Sequence, residues 1–217
     1  MERRGDDARG LRAVNIVGVL PGRDPALPAV ALMAHYDSVP GSPGAADDAS
    51  GVAAVLEAVR AIQARGPADR TLIVLLTDAE ELNLDGARAF FSEHPLRDRI
   101  GAVVNLEARG GGGRAMMFET GAGNAQTIAE YSKATRHATG GPSSNALAVF
   151  VYRLMPNGTD FTVAAQRGLA GVNFAFIGRP AQYHSPTSTP DALDQGSLQH
   201  IGSQALETAD RFLRAEA

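Results

Sequence analysis

Short runs of aliphatic residues alternate with longer amphipathic stretches along the chain. The runs are about four to eight residues long and are flanked by glycine, proline or charged residues, which is typical of buried strands. They lie at Ala13–Leu20, Ala29–Ala34, Thr71–Thr77, Ala102–Leu106, Ala115–Phe118 and Gly171–Ile177. Helices are predicted at Gly51–Gln63, Leu84–Glu93, Ala125–His137 and Gln195–Arg214. This alternation predicts a single three-layer α/β/α domain, in which a mixed, mainly parallel sheet has helices on both faces.

Local features refine this outline. The helix Gly51–Gln63 carries aliphatic residues at the helical period, and Ser50 is placed to cap its N-terminus. The charge-rich residues 1–12 are expected to form a flexible leader, and residues 13–217 the folded domain. Gly110–Gly113 is expected to be a turn between strands, because no Gly-Lys-Ser/Thr ending follows that would indicate a phosphate-binding loop.

Composition and charge narrow the possible chemistry. The chain has 217 residues, which suits one domain, and a formal net charge of −4 without a Lys/Arg cluster, so we expect no nucleic-acid partner. It contains no cysteine, which excludes disulfides, thiolate zinc sites and cysteine nucleophiles. Any metal must therefore be held by His, Asp and Glu. No apolar run reaches the roughly 18 residues of a membrane span, so no membrane contact is expected within this chain.

Acidic residues and histidines follow the predicted strands at their carboxyl ends. His35 and Asp37 follow the second predicted strand, Glu80 and Glu81 follow the third, and Glu107 follows the fourth. Open α/β sheets bind ligands outside these ends, so the five side chains are expected to share one edge of the sheet.

Each of these pairs has two interpretations. His35 could be a capping or core residue. However, Asp37 faces the same way in an extended segment and can accept the second ring N–H, as partners of metal-binding histidines do. Glu80 and Glu81 could lie on a solvated turn, but adjacent carboxylates repel each other and a cation relieves that repulsion. If one of them binds metal, its neighbour is placed to take a proton from water.

Two further segments complete the set. Asp47 and Asp48 precede the helix Gly51–Gln63, and an N-cap explains one acid well, whereas a carboxylate that bridges two cations would explain the other. His184 follows the last predicted strand in a polar loop. The remaining histidines are expected to be structural or solvent-facing: His94, His137 and His200. A site of imidazoles and carboxylates suits zinc, with manganese or cobalt as other occupants.

In series, these motifs resemble the zinc-dependent aminopeptidases related to bacterial leucyl aminopeptidase and aminopeptidase S, which include endoplasmic-reticulum metallopeptidases and vacuolar membrane proteases. The resemblance runs from about Asn15 to Arg211 and rests on Ala34–Ser38, Asp47–Gly51, Glu80-Glu81, Asn105–Glu107 and Tyr183–Ser185. It implies a zinc exopeptidase-like fold, two Zn²⁺ ions and a peptide substrate. The membrane-anchored members look most similar, which implies a membrane-associated or extracytoplasmic parent protein.

The resemblance also implies a role for each residue. The zinc ligands would be His35, Asp47, Glu81, Glu107 and His184. Asp47 would bridge the two ions, and its peptide bond to the next residue would be cis. Glu80 would be the general base and Asp37 would orient the first histidine.

Three positions are less typical of the family or less certain in role. Glu107 stands where many members have aspartate, and Ala164 where an aromatic residue is common. Asp160 matches an acidic position to which we assign no role.

The expected activity is hydrolysis of N-terminal peptide bonds. Two alternatives remain open at this stage: a single-zinc acyl transfer like that of glutaminyl cyclases, and a metal-free binding domain on the same fold.

Overall fold

The computed structural model describes residues 2–4, 12–155 and 158–214. Its strands are β1 (Glu2–Arg4), β2 (Arg12–Val14), β3 (Ile16–Leu20), β4 (Ala29–His35), β5 (Leu72–Thr77), β6 (Ile100–Ala108), β7 (Met116–Thr120) and β8 (Ala170–Phe176). Its α-helices are α1 (Ala49–Ala64), α2 (Asp85–Glu93), α3 (Ala125–Ala134), α4 (Ala146–Arg153), α5 (Asp160–Gln166) and α6 (Gln195–Arg214). Short 3₁₀ helices cover Pro95–Arg99 and Pro180–Gln182.

Six of these strands form one sheet in the order β3-β5-β4-β6-β8-β7. The four central strands are mutually parallel, and β3 and β7 join the two edges in antiparallel orientation. The carboxyl ends of β5, β4, β6 and β8 therefore meet at one edge of the sheet. A mixed, mainly parallel sheet is confirmed.

Helices cover both faces of the sheet because the side chains of each strand alternate between them. On β4, Val30 and Leu32 pack with residues of α1 and α6, whereas Ala31 and Met33 pack with residues of α2 and α5. All seven residues of β4 are buried, as expected for a central parallel strand. The three-layer arrangement is thus confirmed.

Most element boundaries agree with the sequence prediction within three residues. The run Ala13–Leu20, however, forms two strands rather than one. Asn15 divides it, because its side-chain amide donates to the Gly86 carbonyl at 2.8 Å and its Oδ1 accepts the Asp78 N–H at 3.0 Å. These bonds turn Asn15 out of the strand ladder and hold the start of the sheet against the loop after β5.

Part of the segment predicted as a leader is folded in the structure. Glu2–Arg4 pair in antiparallel orientation with Arg12–Val14, which forms a two-stranded ribbon beside the main sheet. Residues 1 and 5–11 lie outside the described residues. Among the helices of the described ranges, none is both long enough and apolar enough to cross a membrane.

Two helices were not predicted, α4 and α5. The sequence of α4 is a short apolar run, which cannot be told from a strand by its pattern, while α5 has only seven residues. Gly110–Gly113 connects β6 to β7, as predicted for a turn between strands.

Candidate metal centre

The residues predicted for the site meet at the carboxyl edge of the parallel strands. His35 is the last residue of β4, Asp37 follows it, Glu80 and Glu81 follow β5, Glu107 lies near the end of β6, Asp47 precedes α1 and His184 follows β8. This placement follows from the topology, because parallel neighbours all end on the same side.

Asp47 lies at the centre of the cluster. Its Oδ1 is 3.0 Å from His35 Nε2, and its Oδ2 is 3.1 Å from His184 Nε2. Glu107 Oε2 is 3.7 Å from the same nitrogen of His35, and Glu81 Oε1 is 2.8 Å from that of His184. The donor atoms therefore form two groups of three that share Asp47, and within each group they lie within 4.8 Å of one another.

The neighbouring acid, Asp48, has a different task. Its carboxylate accepts the N–H of Gly51 at 3.0 Å and caps α1. A side chain at position 51 would collide with that carboxylate, since a Cβ there would lie 2.2 Å from Asp48 Oδ2. The prediction that Ser50 caps the helix was wrong: its hydroxyl donates to the Ala46 carbonyl at 2.7 Å. The Asp47–Asp48 peptide bond is cis, as the resemblance implies.

Asp37 holds three parts of the site together. Its Oδ1 accepts the backbone N–H of Glu80 at 3.1 Å and its Oδ2 that of Glu81 at 3.2 Å. The same Oδ1 lies 3.4 Å from His35 Nδ1, which also contacts the Asp37 carbonyl at 3.1 Å. The Nδ1 side of the ring is thus occupied, and Nε2 faces Asp47. Although burial opposes this effect, the bonds to His35 and the two amides lower the pKa of Asp37.

Burial and mutual repulsion dominate the electrostatics of the glutamates. Burial, reinforced by the charge of Glu107, raises the pKa of Glu80 to about 10. Burial and the charge of Asp47 raise the pKa of Glu81 to about 7. Burial alone would lower the pKa of His35, but hydrogen bonds with the surrounding carboxylates raise it well above its ordinary value. The cluster therefore favours bound protons or other cations.

The donor set fits zinc. It offers only imidazole nitrogens and carboxylate oxygens, which are zinc ligands in the absence of cysteine. Glu107 is buried, and its Oε1 has no hydrogen-bond partner within the part of the chain that the structure describes. An unpartnered buried carboxylate oxygen is costly, and a coordinated cation would satisfy it.

Asp160 lies behind this cluster as the first residue of α5. It is buried, and one of its oxygens accepts a hydrogen bond from the Thr77 hydroxyl. Burial, which that hydrogen bond opposes, raises the pKa of Asp160 to about 7. The hydrogen bond with Thr77 places Asp160 beside the end of β5.

The other histidines lie outside the cluster, as predicted. His94 stacks on Phe90 with ring centroids 4.7 Å apart. His137 is exposed, and the ring of His200 accepts the Ala115 N–H at 3.0 Å.

A cavity of about 420 Å³ opens beside the cluster, with Asp47, Glu80 and Glu107 in its wall. The rest of the wall is largely apolar and includes Met116, Phe118, Leu147, Val151, Met155 and Ile177. The α4 helix contributes to this wall, although none of its residues is buried. The cavity is not predictable from the sequence, because the short apolar run that forms α4 does not identify itself as a helix.

The sequence that forms this site matches a known protein family. Residues 15–209 match the model of peptidase family M28. The chain belongs to peptidase family M28. The family expected from the motifs is confirmed, and membership places the chain among peptidases.

Curated relatives extend the comparison. Endoplasmic reticulum metallopeptidase 1 of Mus musculus is 35% identical over 196 residues, which cover 88% of this chain and 21% of that protein. The vacuolar membrane protease of Lachancea thermotolerans is 36% identical over 196 residues, which cover 90% and 20%. The chain thus spans about a fifth of the length of these relatives.

Solved structures agree with the fold. A zinc aminopeptidase from Bacillus subtilis has a TM-score of 0.74 and 26% identity, and the match covers 94% of this chain and 51% of that one. An aminopeptidase from Aneurinibacillus has a TM-score of 0.75 at 20% identity, covering 93% and 48%, which supports the fold alone.

Proposed function

We propose that this domain is an aminopeptidase that uses two zinc ions to hydrolyse the first peptide bond of its substrate. The observation that carries the proposal is the position of Asp47, whose two carboxylate oxygens face different histidines at 3.0 and 3.1 Å. A carboxylate shared by two donor groups is the arrangement expected for a pair of bridged cations. The similarity to the Bacillus subtilis zinc aminopeptidase supports both the metal and the reaction.

In this proposal, each ion has one imidazole and two carboxylates. His35, Asp47 and Glu107 would hold one ion, and Asp47, Glu81 and His184 the other. Zinc held by these residues would supply Lewis-acid chemistry, which polarises a carbonyl and lowers the pKa of water.

Glu80 is the general base of the proposed reaction. It lines the cavity, and no described side chain accepts or donates a hydrogen bond to its carboxylate. Without metal, burial and the charge of Glu107 raise its pKa to about 10; two cations beside it would lower that pKa, so that the ionised carboxylate is available to accept a proton. Glu80 takes a proton from the attacking water and returns it to the leaving amine. Asp37 keeps this base in register by holding the amides of Glu80 and Glu81.

The cavity supports an apolar residue at the substrate N-terminus. Its volume of about 420 Å³ lies within the usual range of ligand pockets, and aliphatic and aromatic side chains dominate its wall. We therefore expect leucyl and phenylalanyl substrates to be preferred over alanyl ones. The names of the endoplasmic-reticulum and vacuolar relatives support a membrane-associated parent protein.

Metal content and turnover, measured on the same preparation, test the proposal. Close to two zinc ions per chain and cleavage of aminoacyl p-nitroanilides are expected. Asp47→Ala should lose most of the zinc, whereas Asp69→Ala, which changes an exposed acid paired with Arg23, should not. One tightly bound ion at saturation would favour the cyclase-like alternative, and no bound metal would favour a binding domain.

A further inference from the structure

Arg109 is a basic residue in the wall of the cavity, and it has no role in the proposed metal centre. It directly follows β6, and its backbone N–H donates to the Phe176 carbonyl at the end of β8 at 2.9 Å. Arg109 lines the cavity together with Glu107. Among the residues that line the cavity, it is the one that carries a positive charge.

The guanidinium is held in place but poorly supplied with acceptors. Its Cζ lies 5.1 Å from the centroid of the Tyr183 ring, and its Nη1 lies 3.8 Å from Met155 Sδ. A guanidinium carries five N–H donors, and a thioether sulfur is a weak acceptor. Within the described ranges, no carboxylate lies at ion-pair distance from Arg109, whereas Arg60, Arg65 and Arg179 each bind an acid.

Arg109 lies near the proposed metal centre. The Tyr183 ring, which the guanidinium covers, stacks on the His184 ring with centroids 3.7 Å apart. Arg109 is therefore separated from a proposed zinc ligand by one aromatic ring. An extended peptide advances roughly 3.3–3.6 Å per residue. A substrate group one or two residues from the scissile bond would therefore lie close to the Arg109 guanidinium.

We propose that Arg109 binds a carboxylate of the substrate peptide, an inference that rests on the proposed aminopeptidase function. An arginine fork binds carboxylates in a bidentate geometry, and an unpaired fork beside a peptide-binding site is suited to that partner. The carboxylate has two possible sources: the C-terminus of a dipeptide or tripeptide, and an acidic side chain next to the scissile bond.

Matched substrate pairs, each with and without one carboxylate, distinguish these sources. Leucyl-alanine and its amide test the C-terminal carboxylate. Leucyl-aspartic acid amide and leucyl-asparagine amide test an acidic second residue. Glutamyl and glutaminyl p-nitroanilides test an acidic first residue. Steady-state kinetics would be measured with zinc-loaded wild type, Arg109→Met, Arg109→Lys and Arg60→Met, which removes an exposed guanidinium on α1.

In one pair, Arg109→Met should raise KM for the carboxylate substrate by about 10- to 100-fold, the range for a hydrogen bond to a charged group. The uncharged partner should change little, and Arg109→Lys should restore part of the loss. Arg60→Met should behave as wild type. The pair that responds identifies the source of the carboxylate.

Equal effects of Arg109→Met on both members of every pair, or no effect on any, would overturn the inference while the aminopeptidase assignment stands. Thermal unfolding of each variant separates a packing defect from lost recognition, because a packing defect lowers the midpoint and impairs all substrates alike. If zinc-loaded wild type cleaves none of the six substrates, the proposed function fails and this inference with it.

Discussion

Replacing Asp37 by asparagine tests how the site is held in place. The carboxylate accepts the backbone N–H groups of Glu80 and Glu81 with different oxygens, and it lies 3.4 Å from His35 Nδ1. Asparagine keeps one acceptor oxygen but replaces the other with an NH₂ group. One of the two backbone donors would then face another donor, and the attraction to the imidazole would weaken.

The size of the effect follows from these contacts. A hydrogen bond to a charged group contributes about 1.5–3 kcal/mol, and about 1.4 kcal/mol corresponds to a tenfold change in an equilibrium constant. Losing one of these hydrogen bonds should leave His35 and Glu81 less well oriented for metal binding. Zinc affinity should therefore fall by roughly 10- to 100-fold, as it does when other hydrogen-bond partners of metal ligands are changed. Binding should weaken and not disappear, because Asp37→Asn removes no proposed ligand.

Zinc affinity of the variant would be measured by competition with a chromogenic chelator. Asp78→Asn is the matched control. Asp78 directly follows β5, and its carboxylate also accepts two backbone N–H groups, those of Val14 and Ala79, each at 2.8 Å. His35→Ala should weaken binding more than Asp37→Asn. Unchanged affinity in Asp37→Asn, or an equal loss in Asp78→Asn, would refute the reasoning.

Three other predictions follow from the site. Glu80→Gln should keep its zinc and lose roughly 10²–10⁴-fold in turnover, whereas Glu81→Gln should lose zinc; zinc per chain and turnover would reveal reversed roles. Val151→Asp should raise KM for leucyl more than for alanyl p-nitroanilide, and Phe150→Asp, outside that cavity, should not. The folded state raises the pKa of Glu81 from 4.5 to about 7, so the metal-free protein should lose stability as pH rises through that interval. Unfolding midpoints in chelator and in zinc would check this, and a flat metal-free profile would contradict it.

The location of the candidate site follows from the same strand pattern that predicts the sheet. Each proposed ligand lies near or beyond the carboxyl end of a recognisable strand, or just before a clear helix, so the sheet topology brings the ligands to one edge. The tasks of Asp47 and Asp48 could be separated in principle but not assigned, since an N-cap and a bridging carboxylate both favour an acid there. The structure shows Asp48 as the cap.

The cavity could not be predicted for a different reason. Its α4 wall is a short, almost wholly apolar run, which the period of the sequence cannot distinguish from a strand. The helix packs on β7, where the rings of Tyr152 and Phe118 have centroids 4.6 Å apart. Arg109 and Tyr183 lie in the loops after β6 and β8, and a bridge between Gly112 and Gly178 joins these two loops. Pairings between distant glycines leave no periodic signal in a sequence.

The same contacts explain why metal and stability are expected to be coupled. Burial raises the pKa of Glu107, and an oxygen of Asp160 is also buried without a described partner, so the metal-free fold bears a cost at the edge of its most buried strands. The apolar core on both faces of β4 supplies the stability that tolerates this cost. A cation that binds only the folded state would stabilise it. This stabilisation grows with the logarithm of the ratio between the free metal concentration and its dissociation constant. The acids that carry the proposed reaction would therefore be the ones that weaken the metal-free protein.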